Sequence, residues 1–229
     1  ALFHVAQLAW LAGLLIPQAM RAALLPVLGA SRDNKELFNE HLNRVESIAF
    51  GLIPIGLVSG AGIVTLLLPV AFPSEYFDGS LGASAQDIFM LLLAGWAMTV
   101  LSVPSYTSLQ AGTRPWRFTS LIALVVIMAT LIGWFLISWG ADRDAGVALE
   151  MAAYASVAST FIMLFAGIGL SQRWKEFKGR GLQWIFTIGL VFVTCYAFSE
   201  RSWWALSGLS LFILLPQALE AMQTTVGSQ

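Results

Sequence analysis

The chain has 229 residues, 58% of them hydrophobic and 11% charged, and a formal net charge of −1. Soluble domains carry about 25% charged residues. This composition therefore excludes a folded monomer with a fully water-facing surface, and the near-neutral balance argues against a nucleic-acid partner. The lone cysteine, Cys195, excludes an intrachain disulfide.

A helix needs about 20 apolar residues to cross the hydrocarbon of a bilayer. Seven runs meet or approach that length: Leu2–Leu28, Ile48–Phe72, Ile88–Ala111, Phe118–Trp139, Val147–Ser171, Trp184–Phe198 and Trp203–Leu219. The last two are short enough to form a tight hairpin. Barrel strands would alternate polar and apolar residues, and runs such as 121–128 do not. The expected fold class is all-α, a polytopic membrane helix bundle of about seven transmembrane helices. Five spans form a core bundle over 1–171, followed by a basic connector at 172–183, a hairpin at 184–221 and a tail at 222–229.

The first span is too long an apolar stretch, lacks a basic leader and is interrupted by Arg21, so it does not read as a signal peptide. The chain opens with Ala1, already inside an apolar run, which suggests a piece of a longer protein. His4, Gln7, Gln18 and Arg21 fall within an arc of roughly 100° on this helix. Polar residues in membranes turn toward a bundle interior or a water-filled cavity, so this face is a candidate cavity lining. His4, near the outer end, also fits a simple interfacial position. Arg21 has two readings. It faces the cavity as a cation, or it snorkels to the headgroups.

The connector 31–47 reads as a helix of its own. Asp33 can cap it and Glu36 can close a capping box. Leu37, Phe38, Leu42 and Val45 then recur at helical spacing among charged residues, as in an amphipathic helix lying on the membrane surface. In the second span, Gly56 and Gly60 form a GxxxG that permits close helix contact. The third span carries Thr99, Ser102, Tyr106, Gln110 and Thr113 within roughly an 80° arc. That stripe reads as helix–helix glue or as a second polar lining, with Leu101 and Val103 turned toward lipid. Glu150 opens the fifth span as an interfacial carboxylate or an ion site. Pro17, Pro26, Pro54, Pro69, Pro104 and Pro216 mark positions where spans can bend.

The connectors orient the bundle. Those at 30–47, 112–117 and 172–183 hold nine Lys and Arg, whereas 73–87, 140–146 and 199–202 hold two. The positive-inside rule places the first set in the cytoplasm and the chain's first residues outside.

No HExxH, no paired intramembrane aspartates, no GxxxxGK[ST] and no His/Cys/carboxylate cluster occurs. The reading is therefore a non-enzyme without a cofactor or a metal.

Several short stretches, in order, carry a family resemblance. Ala23-Leu24-Leu25-Pro26-Val27-Leu28 closes a span on a Leu-Pro step. Arg32-Asp33-Asn34-Lys35-Glu36 is a charged connector. Leu52-Ile53-Pro54-Ile55-Gly56-Leu57 opens a span that exits through Leu68-Pro69-Val70-Ala71-Phe72-Pro73-Ser74-Glu75-Tyr76. Gln110-Ala111-Gly112-Thr113-Arg114-Pro115 precedes the next span.

This order over about 100 residues resembles the polysaccharide-export branch of the MATE-like (MOP) flippase superfamily, which includes O-antigen and lipid II flippases. Pro73-Ser74 departs from that family's Phe-Gly, and seven spans are about half its complement. The resemblance implies a C-terminal half, the N-terminal half of the same protein as partner, and a bacterial inner membrane. It also implies alternating access around a cavity that carries an anionic lipid-linked glycan. Arg21, Gln18, Gln7, Tyr106 and Gln110 are the substrate-binding candidates, and they come from the polar stripes. A cation antiporter of related fold would want intramembrane acids that are not evident here. A glycan polymerase or ligase, and a scaffold subunit of a membrane complex, are the alternatives outside transport.

Overall fold

The structure is a computed structural model that describes residues 11, 13–76, 84–181 and 183–190. Every regular element among these residues is helical: α1 (Leu15–Ala30), α2 (Lys35–Ala71), a 3₁₀ turn (Ser74–Tyr76), α3 (Ala85–Ala111), α4 (Trp116–Ala141), α5 (Ala145–Ser171) and α6 (Trp174–Gly179). Residues 183–190 are also helical. Four helices, α2 to α5, are long and apolar enough to cross a membrane, which supports an integral membrane protein. His4, Gln7, Cys195 and the expected seventh span lie outside the described residues. The sixth is described only as far as Leu190.

Local chemistry sets the helix ends. Ser84 caps α3 by accepting the Gln86 N–H at 3.2 Å, and Asp144 caps α5 by accepting that of Gly146 at 3.2 Å. At the start of α2 the cap is Asn34, not Asp33. Its Oδ1 accepts the N–H groups of Glu36 and Leu37 at 3.1 and 3.2 Å. α5 ends in a Schellman arrangement, with Arg173 N–H bonded to Ile168 O and Gln172 N–H to Gly169 O. Gln172 carries the left-handed conformation (φ 60) that this turn requires.

α2 runs for 37 residues without a break, about 55 Å against a hydrocarbon core of about 30 Å. The segment 31–47 is thus helical from Lys35 onward, as its spacing predicts, but it is continuous with the second span. Its apolar face meets protein: Leu42 is buried with Leu24 and Leu28, and Phe38, Val45 and Ala111 pack against them.

Helix α3 is the axis of the bundle, packed by α1, α2 and α5, while α5 in turn carries α4. Residues from Ile88 to Leu109 are buried almost without interruption. Leu101 and Val103 are 2% and 0% exposed. The expectation that they face lipid is overturned, because α3 has neighbours on every side. The lipid-facing helix is α4, with Val126, Ile127, Leu131, Trp134 and Phe135 all more than half exposed. Trp116 marks one end of it, and Trp139, stacked under Arg143 at 3.4 Å, marks the other, as interfacial aromatics do.

Glycines fix the helix contacts. A Cβ on Gly56 would overlap the Trp96 ring, and one on Gly60 would come within 2.9 Å of Leu93. The GxxxG of α2 therefore seats two side chains of α3. The Trp96 indole N–H donates to Gly13 O at 2.8 Å, so one residue ties three segments together.

These pairings also give directions. Gly13 lies by Trp96 and Arg21 by Gln110, so α1 and α3 run parallel. Gly56 by Trp96 and Gly60 by Leu93 make α2 antiparallel to α3. Gly95 beside Val157 and Gly167 beside Ser105 make α5 parallel to α3, and Gly140 against Ala148 closes an antiparallel α4–α5 hairpin. The alternation expected from the connector charges is present, and it brings 30–47, 112–117 and 172–183 to one end.

Candidate functional site

Two polar stripes read from separate helices meet. Arg21, exposed on α1, donates through Nε to Gln110 Oε1 at 3.2 Å. Its guanidinium carbon stands 5.9 Å from the centroid of the Tyr106 ring. That geometry is a cation–π contact. Tyr106 is buried and Gln110 half-buried, so α3 supplies a fixed platform and α1 presents the charge. Gln18 is exposed one turn earlier on α1. Gln7, the remaining candidate, is outside the described residues.

The register sets the depth. Tyr106 and Gln110 occupy the last turn and a half of α3, which ends at Ala111. Arg21 therefore lies within roughly 8 Å of the end that carries the basic connectors, closer to that surface than its position in the first apolar run suggests. A guanidinium here can reach headgroups while remaining on the bundle.

The rest of the third-span stripe bonds within its own helix or lies beyond it, Thr113 being exposed past the end of α3. Thr99 donates to Gly95 O at 2.9 Å and Ser102 to Thr99 O at 2.7 Å. Glu150 is half-buried near the start of α5, at the opposite end from Arg21. Among the described residues no group of His, Cys, Asp and Glu is placed to hold a metal ion.

A second polar constellation was not read from the sequence. Arg173 Nη2 donates to Glu46 Oε2 and to Asn43 Oδ1, both at 3.0 Å. The two charged side chains are 9% and 8% exposed. Arg180 adds a contact to Ser47 Oγ at 3.0 Å. The basic connector 172–183 is thereby fastened to α2. Only the four cations of that connector, two of them Arg, hinted at it.

Beside this clamp a half-open cavity of about 400 Å³ lies where the three basic connectors meet. Lys35, Arg114, Arg117 and Arg173 line it, with Phe38, Leu42 and Leu109 as its apolar wall.

Comparison with protein-family models, with curated proteins and with solved structures returns no match. The likeness to MOP flippases rests on the quoted sequence motifs alone.

Proposed function

We propose that the chain forms one lobe of a transporter that flips a lipid-linked, diphosphate-bearing oligosaccharide across a bacterial inner membrane. The observation that carries the reading is the meeting of Arg21, Tyr106 and Gln110 on the exposed side of α1. Arg21 is exposed at the basic end of the bundle, where its guanidinium is available to an anionic group. Two contacts orient it, and its remaining N–H groups are open to a phosphate oxygen. Its depth, near the basic end, suits first contact with a head group arriving from the cytoplasmic leaflet. The exposed α1 face bearing Gln18 and Arg21 is the surface on which a second lobe would close a cavity. Movement of such a lipid forms and breaks no covalent bond, so the role needs no catalytic residue.

The test is transport by the full-length protein in proteoliposomes, with a fluorescent polyprenyl-diphosphate oligosaccharide as cargo. Outward movement is read from accessibility to an impermeant quencher. Loss of a charge-assisted contact costs about 1.5–3 kcal/mol, or roughly tenfold to a hundredfold in affinity. Arg21→Ala is expected to slow flipping by that order at matched protein, with Arg21→Lys intermediate. Full-rate flipping by Arg21→Ala would leave Arg21 as an interfacial anchor. A lengthened glycan in the same vesicles would mark a polymerase instead.

A further inference from the structure

We propose that the cavity between the three basic connectors is a binding site for a phosphate-bearing anion, separate from Arg21. Four cations line it: Lys35 at the start of α2, Arg114 in the α3–α4 connector, Arg117 in the first turn of α4 and Arg173 after α5. No carboxylate among the described residues lines it. Glu46 answers Arg173 from behind. Arg117 is held by donating through Nη1 to Leu170 O at 3.2 Å, a neutral partner that leaves its charge uncompensated. The exposed side chains of Lys35 and Arg114 form no ion pair with a described residue.

Helix dipoles do not set the sign of this site. α2 and α4 begin here while α3 and α5 end here, so their terminal partial charges offset one another. The field comes from the side chains: Arg173 is answered by Glu46, and the like charges of Lys35, Arg114 and Arg117 beside it repel. An anion with several oxygens relieves that repulsion and accepts from two guanidinium forks at once.

Size and lining agree. About 400 Å³ lies within the range of small-ligand sites and exceeds the needs of a bare phosphate. The apolar wall of Phe38, Leu42 and Leu109 suits carbon attached to that phosphate. Ser108 faces the cavity from a side of α3 roughly 160° around from Tyr106 and Gln110, whereas Leu109 lines the cavity and also packs with Tyr106, so the two sites adjoin at Leu109 while Arg21 stays outside the lining. Basic pockets between helices on the cytoplasmic side take phospholipid head groups, and a soluble diphosphate offers the same oxygens.

The site stands or falls apart from the transport reading. The full chain, purified in neutral detergent, is offered phosphatidylglycerol or phosphatidylcholine, and bound lipid is counted by native mass spectrometry. In parallel, inorganic diphosphate is titrated while thermal unfolding is followed. The variant is Lys35→Gln with Arg114→Gln, two exposed positions whose loss leaves the packing intact. The expected result is preferential retention of phosphatidylglycerol, reduced about tenfold or more in the variant and unchanged in Arg21→Ala. Stabilisation by diphosphate, with displacement of the lipid, would identify a phosphate head group as sufficient and admit a soluble ligand. Retained phosphatidylglycerol that diphosphate fails to displace would identify a lipid. If the double variant holds both probes as well as the parent chain, or the parent holds neither, the proposal is overturned.

Discussion

Removing Arg173 is the sharpest perturbation the structure offers. Its Nη2 stands 3.0 Å from Glu46 Oε2, and the two side chains are 9% and 8% exposed. At an effective dielectric of about 20, unit charges at that distance attract by about 5–6 kcal/mol, and the cost of desolvating both offsets much of it. Loss of one partner removes the attraction and leaves the other charge buried, which typically costs about 3–5 kcal/mol. Arg173→Ala also orphans Asn43 Oδ1, so the upper half of that range is expected. Glu46→Gln keeps a hydrogen-bonding oxygen beside Arg173 and should cost less. The double variant Glu46→Leu/Arg173→Met removes both charges and should recover most of the loss. Unfolding free energies from titration of mixed micelles with SDS, arranged as a double-mutant cycle, read these differences directly. The reasoning fails if Arg173→Ala costs under about 1 kcal/mol, because a pair worth so little is solvated and the clamp between α2 and α5 is not a buried one.

Further outcomes are expected. Gly56→Ala should destabilise by about 1–3 kcal/mol in the same titration, because the new methyl overlaps Trp96, whereas Gly62→Ala, with open space around it, should be silent. Gln172→Gly should stabilise by about 1 kcal/mol by relieving the left-handed backbone, with Gln172→Val moving the midpoint the other way. Single cysteines at Lys35 and Asp142, in a Cys195→Ser background, should label unequally with an impermeant maleimide added to intact cells, since these connectors lie at opposite ends; equal labelling would contradict the arrangement.

Charge and periodicity made the helices and their alternation legible. Arg32, Lys35, Arg44, Arg114, Arg117 and the four cations of 172–183 were enough to group three connectors at one end, because membrane insertion selects on such residues. The meeting of Arg21 with Tyr106 and Gln110 was legible only as two separate stripes. The continuity of α2 was hidden because an amphipathic face and an apolar span share one helical period, although no Gly or Pro stands between Lys35 and Phe50 to mark a break. Leu101 and Val103 were misplaced for a different reason. Lipid and protein interiors are both apolar, so an apolar side chain does not reveal which of them it touches. The Arg173–Glu46 pair joins residues 127 apart, and nothing local in either stretch points to the other.

The burial of α3 bears on how the chain enters the membrane. Helices are inserted in chain order, so α3 must meet lipid before α5, its principal neighbour, has been synthesised. Its hydroxyls already have partners on their own helix: Thr99 bonds to Gly95 O, Ser102 to Thr99 O and Ser108 to Ser105 O. A polar group paired within its own helix adds little to the cost of entering hydrocarbon. The segment can therefore wait in the bilayer as a stable single helix, and α5 docks later by packing Val157 and Thr160 against Gly95 rather than by rescuing stranded polar atoms. Thr107 differs from these three: its buried oxygen finds no partner among the described residues.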